Sequence, residues 1–337
     1  MARPTIAAAF PKAFLDFAVS RGAMGRAMIE RSQIYPDDLR EPDNRIPLAN
    51  YIALLRAGIE LCSEPALALL FGEKVRMQDI SIVGLIGEAA QSVEAGRQLM
   101  NRYACLMIDE DNADTTDRIE FIREDGKVWL KFPSTLYVDN PVLTESGFAR
   151  CVCGARAMSG SSGNFPLIKA IHFTYEEPSY RAEYDRVFGL PLFFGSHMNA
   201  FVIDEALLNI KLPRTNPYLS EVLSAHAEEL LKNLESSKST SGRVEGLLIP
   251  ILHTGEANMN LAARKLGLSR QTLFRRLKAE GVTFEKVLDE LRHKLALRYL
   301  NGNKVSVSET AYLVGFSEPA AFSRAFKRWT GASPRKR

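Results

Sequence analysis

The sequence predicts an α+β N-terminal domain followed by an all-α C-terminal domain, in which two helix-turn-helix units are joined by a long helix. Three observations carry this. A pattern of Ala263, Gly267-Leu268-Ser269, Leu273 and Leu277-Lys278 returns 48 residues later as Ala311, Gly315-Phe316-Ser317, Phe322 and Phe326-Lys327. Charge is divided along the chain. Residues 243–337 hold 18 Lys+Arg against 8 Asp+Glu, and the preceding 242 hold 25 against 32, although the whole carries only +3. The acidic part mixes strand and helix patterns without strict alternation, which is the mark of an α+β domain.

In chain order, residues 10–32 and 47–71 predict helices. Pro47 opens the second, Leu48, Tyr51, Ile52, Leu55 and Ile59 recur at three and four, and Gly72 is expected to end it. Residues 33–46, rich in Pro, Asp and Asn, predict a loop. The short apolar run 79–87, with Gly84 and Gly87, predicts a strand edge. Ser92 is expected to cap a helix with Glu94 in its first turn and Ala95, Leu99, Tyr103 and Met107 on one face. Residues 118–123 and 127–132 flank Asp125-Gly126, a favoured two-residue hairpin turn. A helix follows at 142–158, a strand at 167–175, and a helix at 179–188 stopped by Gly189. Two short strands come next, at 192–194 and 200–203, and Asp204 caps a brief helix. Pro217 begins a helix to Leu234 with a stripe of Leu219, Val222, Leu223, Leu230, Leu231 and Leu234. That stripe serves either as a dimer seam or as packing on its own domain. Ser-rich residues 236–242 predict a polar linker, dividing an N-terminal domain (1–235, core 20–210) from a DNA-binding domain (243–337).

In the last third, Gly267 and Gly315 suit the left-handed backbone that ends a helix. Pro319 suits a first helical turn, where its missing N–H is not needed. The pairs Leu273/Leu277 and Phe322/Phe326, each four apart, put one face of each second helix in the core. The later copy carries one extra residue after its glycine corner. Residues 284–300, with Leu288, Leu291, Leu295 and Leu300 at helical period, predict a connecting helix of roughly 25 Å. Two reading helices about 34 Å apart would meet successive major-groove segments on one face of a duplex.

Ser269 is the expected N-cap of the first reading helix. Leu273 and Leu277 turn inward, leaving Gln271, Thr272, Arg275, Arg276 and Lys278 outside. Gln bonds adenine and Arg bonds guanine in a bidentate way, so Gln271 and Arg275 are the expected base readers. In the second helix, Pro319 and Ala320 cannot hydrogen-bond a base edge, although Ala320 can touch a thymine methyl. Ser323 and Arg324 are the remaining polar readers, with Lys327 and Arg328 expected on phosphate. The second unit should be the less selective.

Gly315-Phe316-Ser317, Phe322-Ser323-Arg324, Phe326-Lys327 and Gly331-Ala332-Ser333-Pro334 resemble the signature of the AraC/XylS transcriptional regulators. The resemblance implies two helix-turn-helix units on a connecting helix, and it places Ser269 beside phosphate. Val83-Gly84-Leu85, the helix through Tyr103, His172-Phe173, Pro178, Tyr184, Phe188-Gly189-Leu190-Pro191, Phe193, Asn199 and Asp204 resemble the arabinose-binding-type (AraC-type) N-terminal ligand-binding domain. That label says little about the ligand. The chain closes on Arg335-Lys336-Arg337, where the resemblance leads one to expect an aromatic residue and Arg. The basic tail should add attraction for phosphate.

The expected function is a ligand-responsive DNA-binding transcriptional regulator, an activator, working as a homodimer with promoter DNA, a small-molecule effector and RNA polymerase as partners. Two alternatives stay open: a ligand-independent DNA-binding regulator, and an enzyme domain fused to a DNA-binding module. No Walker loop, Gly-x-Gly-x-x-Gly, His-Glu-x-x-His or Gly-x-Ser-x-Gly supports the enzyme, and no cofactor is expected. Cys151-Val-Cys153 is too tight for an ordinary zinc pair, and Cys62, Cys105, Cys151 and Cys153 read as reduced thiols in a core. No apolar run approaches 18 residues, and Pro4, Pro11, Lys12 and Asp16 interrupt the N-terminus. Neither a membrane span nor a signal peptide is expected, and the location is cytoplasmic. Phe121, Trp129, Phe132 and Phe173 read as core and His172 as a satisfied structural histidine. Arg150 and Arg156 face either a carboxylate or water.

Overall fold

A computed structural model describes residues 4–110, 117–158, 167–210, 216–301 and 305–334. The chain divides between Leu231 and Lys232 into two units.

The first unit opens with β1 (Thr5–Ala7), α1 (Ala9–Ser20), α2 (Gly25–Ser32), β2 (Arg45–Pro47), α3 (Leu48–Cys62) and α4 (Leu67–Lys74). Each of the two long helices expected here is broken in two. Gly22, at φ +100°, turns the chain between α1 and α2, and Ser63, at φ 50°, ends α3 in the left-handed region. Gly72 does not end a helix. It lies inside α4, where an added Cβ would stand 2.2 Å from the Ser146 carbonyl oxygen, so its role is close packing. Residues 79–87 are helical rather than a strand edge. They form the end of α5 (Met77–Ile80) and most of α6 (Ile82–Glu88), with Ser81 capping α6 through Val83 N–H at 3.1 Å. Gly84 likewise faces the Met77 backbone, which a Cβ would meet at 2.3 Å.

α7 (Val93–Met107) starts at Ser92, whose hydroxyl accepts from Ala95 N–H at 3.2 Å. β3 (Ile108–Asp109) then completes a sheet in the order β2-β1-β3. Its strands are two or three residues long, too short for an alternating pattern to be read. β4 (Glu120–Glu124) and β5 (Lys127–Lys131) form the expected hairpin, with Asp125 and Gly126 at φ 53° and 71° as a type I′ turn requires. α8 (Thr135–Asp139), α9 (Pro141–Met158), β6 (Ile168–His172), α10 (Arg181–Phe188), β7 (Leu192–Phe193) and β8 (Ala200–Ile203) follow. Gly189 ends α10 at φ 56°, and Asp204 caps a 3₁₀ turn at Glu205–Asn209. The second sheet runs β4-β5-β8-β6-β7, antiparallel except for β6 with β7. Phe148, Phe173, Tyr184, Phe188 and Phe201 fill one face. Trp129, Ala170, Met198 and Val202 cover the other.

α11 (Pro217–Lys238) divides its apolar stripe between two surroundings. Leu223, Ala227 and Leu231 pack against Val83, Ile86, Leu99 and Tyr103. Glu228 accepts from the Tyr103 hydroxyl and from Arg102 Nε, each at 2.6 Å. Tyr218, Leu219 and Val222 remain exposed. Residues 236–242, expected as a polar linker, hold the end of α11 and the start of α12 (Thr240–Leu248). Ser239 caps α12 through Gly242 N–H at 3.0 Å.

The second unit continues with α13 (Met259–Lys265), α14 (Arg270–Ala279), α15 (Phe284–Asn301), α16 (Val307–Leu313) and α17 (Pro319–Thr330). Val244, Leu252, Ala262, Leu273, Leu277, Leu291, Ala311, Phe322 and Phe326 make one core. Among the described residues no helix is long and apolar enough to cross a membrane. Residues 335–337, the expected basic tail, lie outside the described residues.

Candidate nucleic-acid interface

Two corners built alike position the helices expected to read DNA. Between α13 and α14, Gly267 sits at φ +66° and Leu268 N–H donates to the Ala263 carbonyl at 2.9 Å. Between α16 and α17, Gly315 sits at φ +79° and Phe316 N–H donates to the Ala311 carbonyl at 2.9 Å. Both bonds close a helix end over a left-handed glycine. Ala263 and Ala311 are buried, as a close helix crossing demands. The later corner carries a second constraint, because a Cβ on Gly315 would meet the Leu252 carbonyl oxygen at 2.2 Å.

α14 presents the first set of expected DNA contacts. Ser269 caps the helix, its hydroxyl accepting from Thr272 N–H at 3.1 Å and lying 2.8 Å from Thr272 Oγ1. Ser269 and Thr272 therefore hold each other, and Thr272 is half-buried. Leu273 and Leu277 are buried, while Gln271, Arg275, Arg276 and Lys278 are exposed. At 100° per residue, Gln271, Arg275 and Lys278 lie farthest from the two leucines, with Arg276 on the flank.

α17 starts at Pro319 with no side-chain cap. Phe322, Ala325 and Phe326 are buried, Ser323 is half-buried, and Arg324, Lys327 and Arg328 are exposed. Arg328, expected on phosphate, also has a partner within its own unit. Its Nη2 pairs with Asp289 Oδ2 at 2.6 Å, joining α17 to α15.

Several residues were not legible in advance. Arg292 donates to the Val314 and Gly315 carbonyls at 3.1 and 3.2 Å and lies 4.7 Å over the Phe316 ring, bracing the second corner. Burial pulls its guanidinium below the ordinary arginine value. α16 begins with a reciprocal capping box between Ser306 and Glu309. Phe274, 51% exposed, stands beside the expected readers on α14. It helps line a cleft of about 370 Å³ with Met259, Arg270, Gln271 and Phe284. An aromatic at helical spacing is usually assigned to a core, and only its exposure marks Phe274 as different.

The N-terminal candidates are mostly structural. His172 Nδ1 lies 3.0 Å from the Ser196 hydroxyl, and its ring stacks on Phe193 and meets Trp129 edge-on. Burial pulls the imidazole below its ordinary value. Arg150 is buried and donates to the Val75 carbonyl at 3.0 Å and to Ser146 Oγ at 3.3 Å. Arg156 donates to the Val187 and Phe188 carbonyls, closing the end of α10. Phe132 and Phe173 join the aromatic core, and Phe121 packs at its edge.

Comparison with known proteins adds the following. Residues 22–212 match the arabinose-binding domain of AraC transcription regulator, N-terminal, and residues 262–336 match a helix-turn-helix domain. The ornithine utilization regulator of Pseudomonas aeruginosa is 27% identical over 332 residues, covering 97% of this chain and 94% of that one. The regulator VirS of Mycobacterium tuberculosis is 24% identical over 331 residues, covering 96% and 93%. The crystal structure of the transcriptional regulator CdpR from Pseudomonas aeruginosa aligns at a TM-score of 0.42 and 21% identity, covering 92% and 95%.

Proposed function

The chain belongs to the AraC-type transcription regulators with an arabinose-binding-type N-terminal domain, and on that premise we propose a ligand-responsive regulator whose first unit binds a small-molecule effector and whose second grips promoter DNA. The observation that carries this is the pair of like corners, each followed by a helix with a buried apolar face and an exposed basic one. In this reading Gln271 and Arg275 contact base edges. Thr272, Arg276 and Lys278 contact the backbone at their flanks, and Ser269 lies beside a phosphate. On the second helix, Ser323 and Arg324 are the polar readers and Lys327 holds phosphate. Arg328 reaches phosphate only by sharing its charge with Asp289. The basic balance of residues 243–337 supports attraction to the duplex.

The proposal extends to a homodimer, supported by the exposed Tyr218, Leu219 and Val222 on α11. It also extends to activation through RNA polymerase. An effector changes DNA binding only if its affinity differs between the two functional states. The test is fluorescence anisotropy of the full chain on DNA from upstream of its own and neighbouring genes, across a salt series. Sequence-selective binding that weakens steeply with salt is expected. Equal binding to every duplex would overturn the reading.

A further inference from the structure

Glu145, on α9, has only 1% of its surface exposed. Its Oε2 accepts from the Tyr184 hydroxyl at 2.6 Å and the Tyr180 hydroxyl at 2.9 Å. The Tyr184 oxygen also lies 3.0 Å from that of Tyr175. Oε1 is buried and has no hydrogen-bond partner among the described residues. Burial pushes the carboxyl up, the two tyrosine hydroxyls pull the other way, and no cation contributes.

Among the described residues, no group completes this carboxyl in either protonation state. Ionised, it buries a charge without a counter-ion. Neutral, it either places an O–H on Oε1 with no acceptor or leaves Oε1 a carbonyl oxygen with no donor. Native structures rarely leave such an atom unmet without a reason.

The surroundings narrow what would meet it. Tyr184 and Phe173 are buried, whereas Tyr175, Tyr180 and Phe194 form a half-exposed aromatic rim. Tyr184 stands 5.5 Å from Phe194, and Tyr180 is 5.7 Å from Tyr184. The rim already holds one cation, since the Arg181 guanidinium lies 5.2 Å over Phe194 while paired with Glu177 and Asp185. A buried carboxylate lacking one donor suits an ammonium, which gains a charge-assisted hydrogen bond there.

We propose that the Glu145–Tyr180–Tyr184 cluster is the recognition point for the effector of the first unit, and that the effector is a small amine donating to Glu145 Oε1. This rests on the ligand-responsive reading above.

The test uses the full chain, with n-butylamine and 1,4-diaminobutane as probes and n-butanol and butyrate as uncharged and anionic controls. Thermal unfolding and promoter binding are measured in the same samples. The amines should raise Tm saturably and the controls should not. Glu145→Gln keeps the side chain's size and removes its charge, and should weaken the amine response at least about tenfold. Tyr180→Phe retains the carboxyl but removes one donor that stabilises its ionised form, and should weaken the response in the same direction. It decides the matter if the glutamine variant does not fold. An amine response absent from the wild type, or unchanged in the variant that folds, overturns the assignment. Stabilisation by butyrate that also shifts promoter affinity would leave the switch standing and remove the amine. Glu145-dependent stabilisation without any change in promoter binding would leave the amine site and remove the switch.

Discussion

Arg275 and Arg328 are both exposed arginines on reading helices, but they stand in different electrostatic company. Arg328 is tied to Asp289 at 2.6 Å, and among the described residues Arg275 makes no ion pair. Arg275→Ala should therefore lose about 1–3 kcal/mol of discrimination at one base pair, measured by competition between promoter variants. Arg328→Ala should weaken all duplexes alike and change stability by only about 0–1 kcal/mol, as an exposed pair does. Glu145 carries the other prediction at this scale. Its carboxyl is pushed from 4.5 to about 7 by burial. The native protein thus holds a proton that the unfolded chain has released across that interval, and Glu145 makes stability fall as pH rises through it. The full effect is roughly 3 kcal/mol. Denaturant titrations at several pH values should show a smaller fall between those limits in Glu145→Gln than in the wild type. An identical slope in both proteins would show that burial does not shift this carboxyl.

Gly267 and Gly315 hold the same place in matched corners and differ in their neighbours. Both need the left-handed region, so alanine at either costs about 1–2 kcal/mol from the backbone alone. Only at Gly315 would the added Cβ also meet a carbonyl oxygen, that of Leu252, at 2.2 Å. Gly315→Ala should lower Tm clearly more than Gly267→Ala, and equal shifts would mean that Leu252 moves aside without cost. The reading helices differ as well. α14 offers Gln271 and Arg275 at its outward positions, whereas α17 begins with Pro319 and Ala320 and half-buries Ser323. A saturation scan of promoter base pairs should find less information under the second helix than under the first. Much of this second unit was legible beforehand, because a glycine corner and apolar residues four apart are local signals. The breaks at Gly22 and Ser63 and the three short strands of the first sheet were not. The breaks are closed by local bonds, Ala23 N–H to the Ala18 carbonyl and Glu64 N–H to the Ile59 carbonyl, within otherwise helical patterns; the strands pair with segments distant in sequence and leave no period long enough to read.

For the whole molecule, the proposed function subjects effector and promoter to linkage, because both would bind one protein. Whatever factor the effector applies to promoter affinity, promoter DNA must apply to effector affinity. Calorimetric titration of the effector with and without duplex checks this, and a one-sided effect would mean that the measurements do not report one equilibrium. The sequence by itself determined the order of the units, the duplicated corner, the buried and exposed faces of α14 and α17 and the family. All of these are written in spacing and composition, which act over a few residues. Only the tertiary structure decided that Gly72 and Gly84 serve helix contact, that Arg328 answers to Asp289, that α11 is packed on one side and bare on the other, and that Glu145 lies buried with one oxygen unmet. Those facts depend on which distant segment arrives beside a residue, and a carboxylate's cost or use depends on the water and partners left to it after folding.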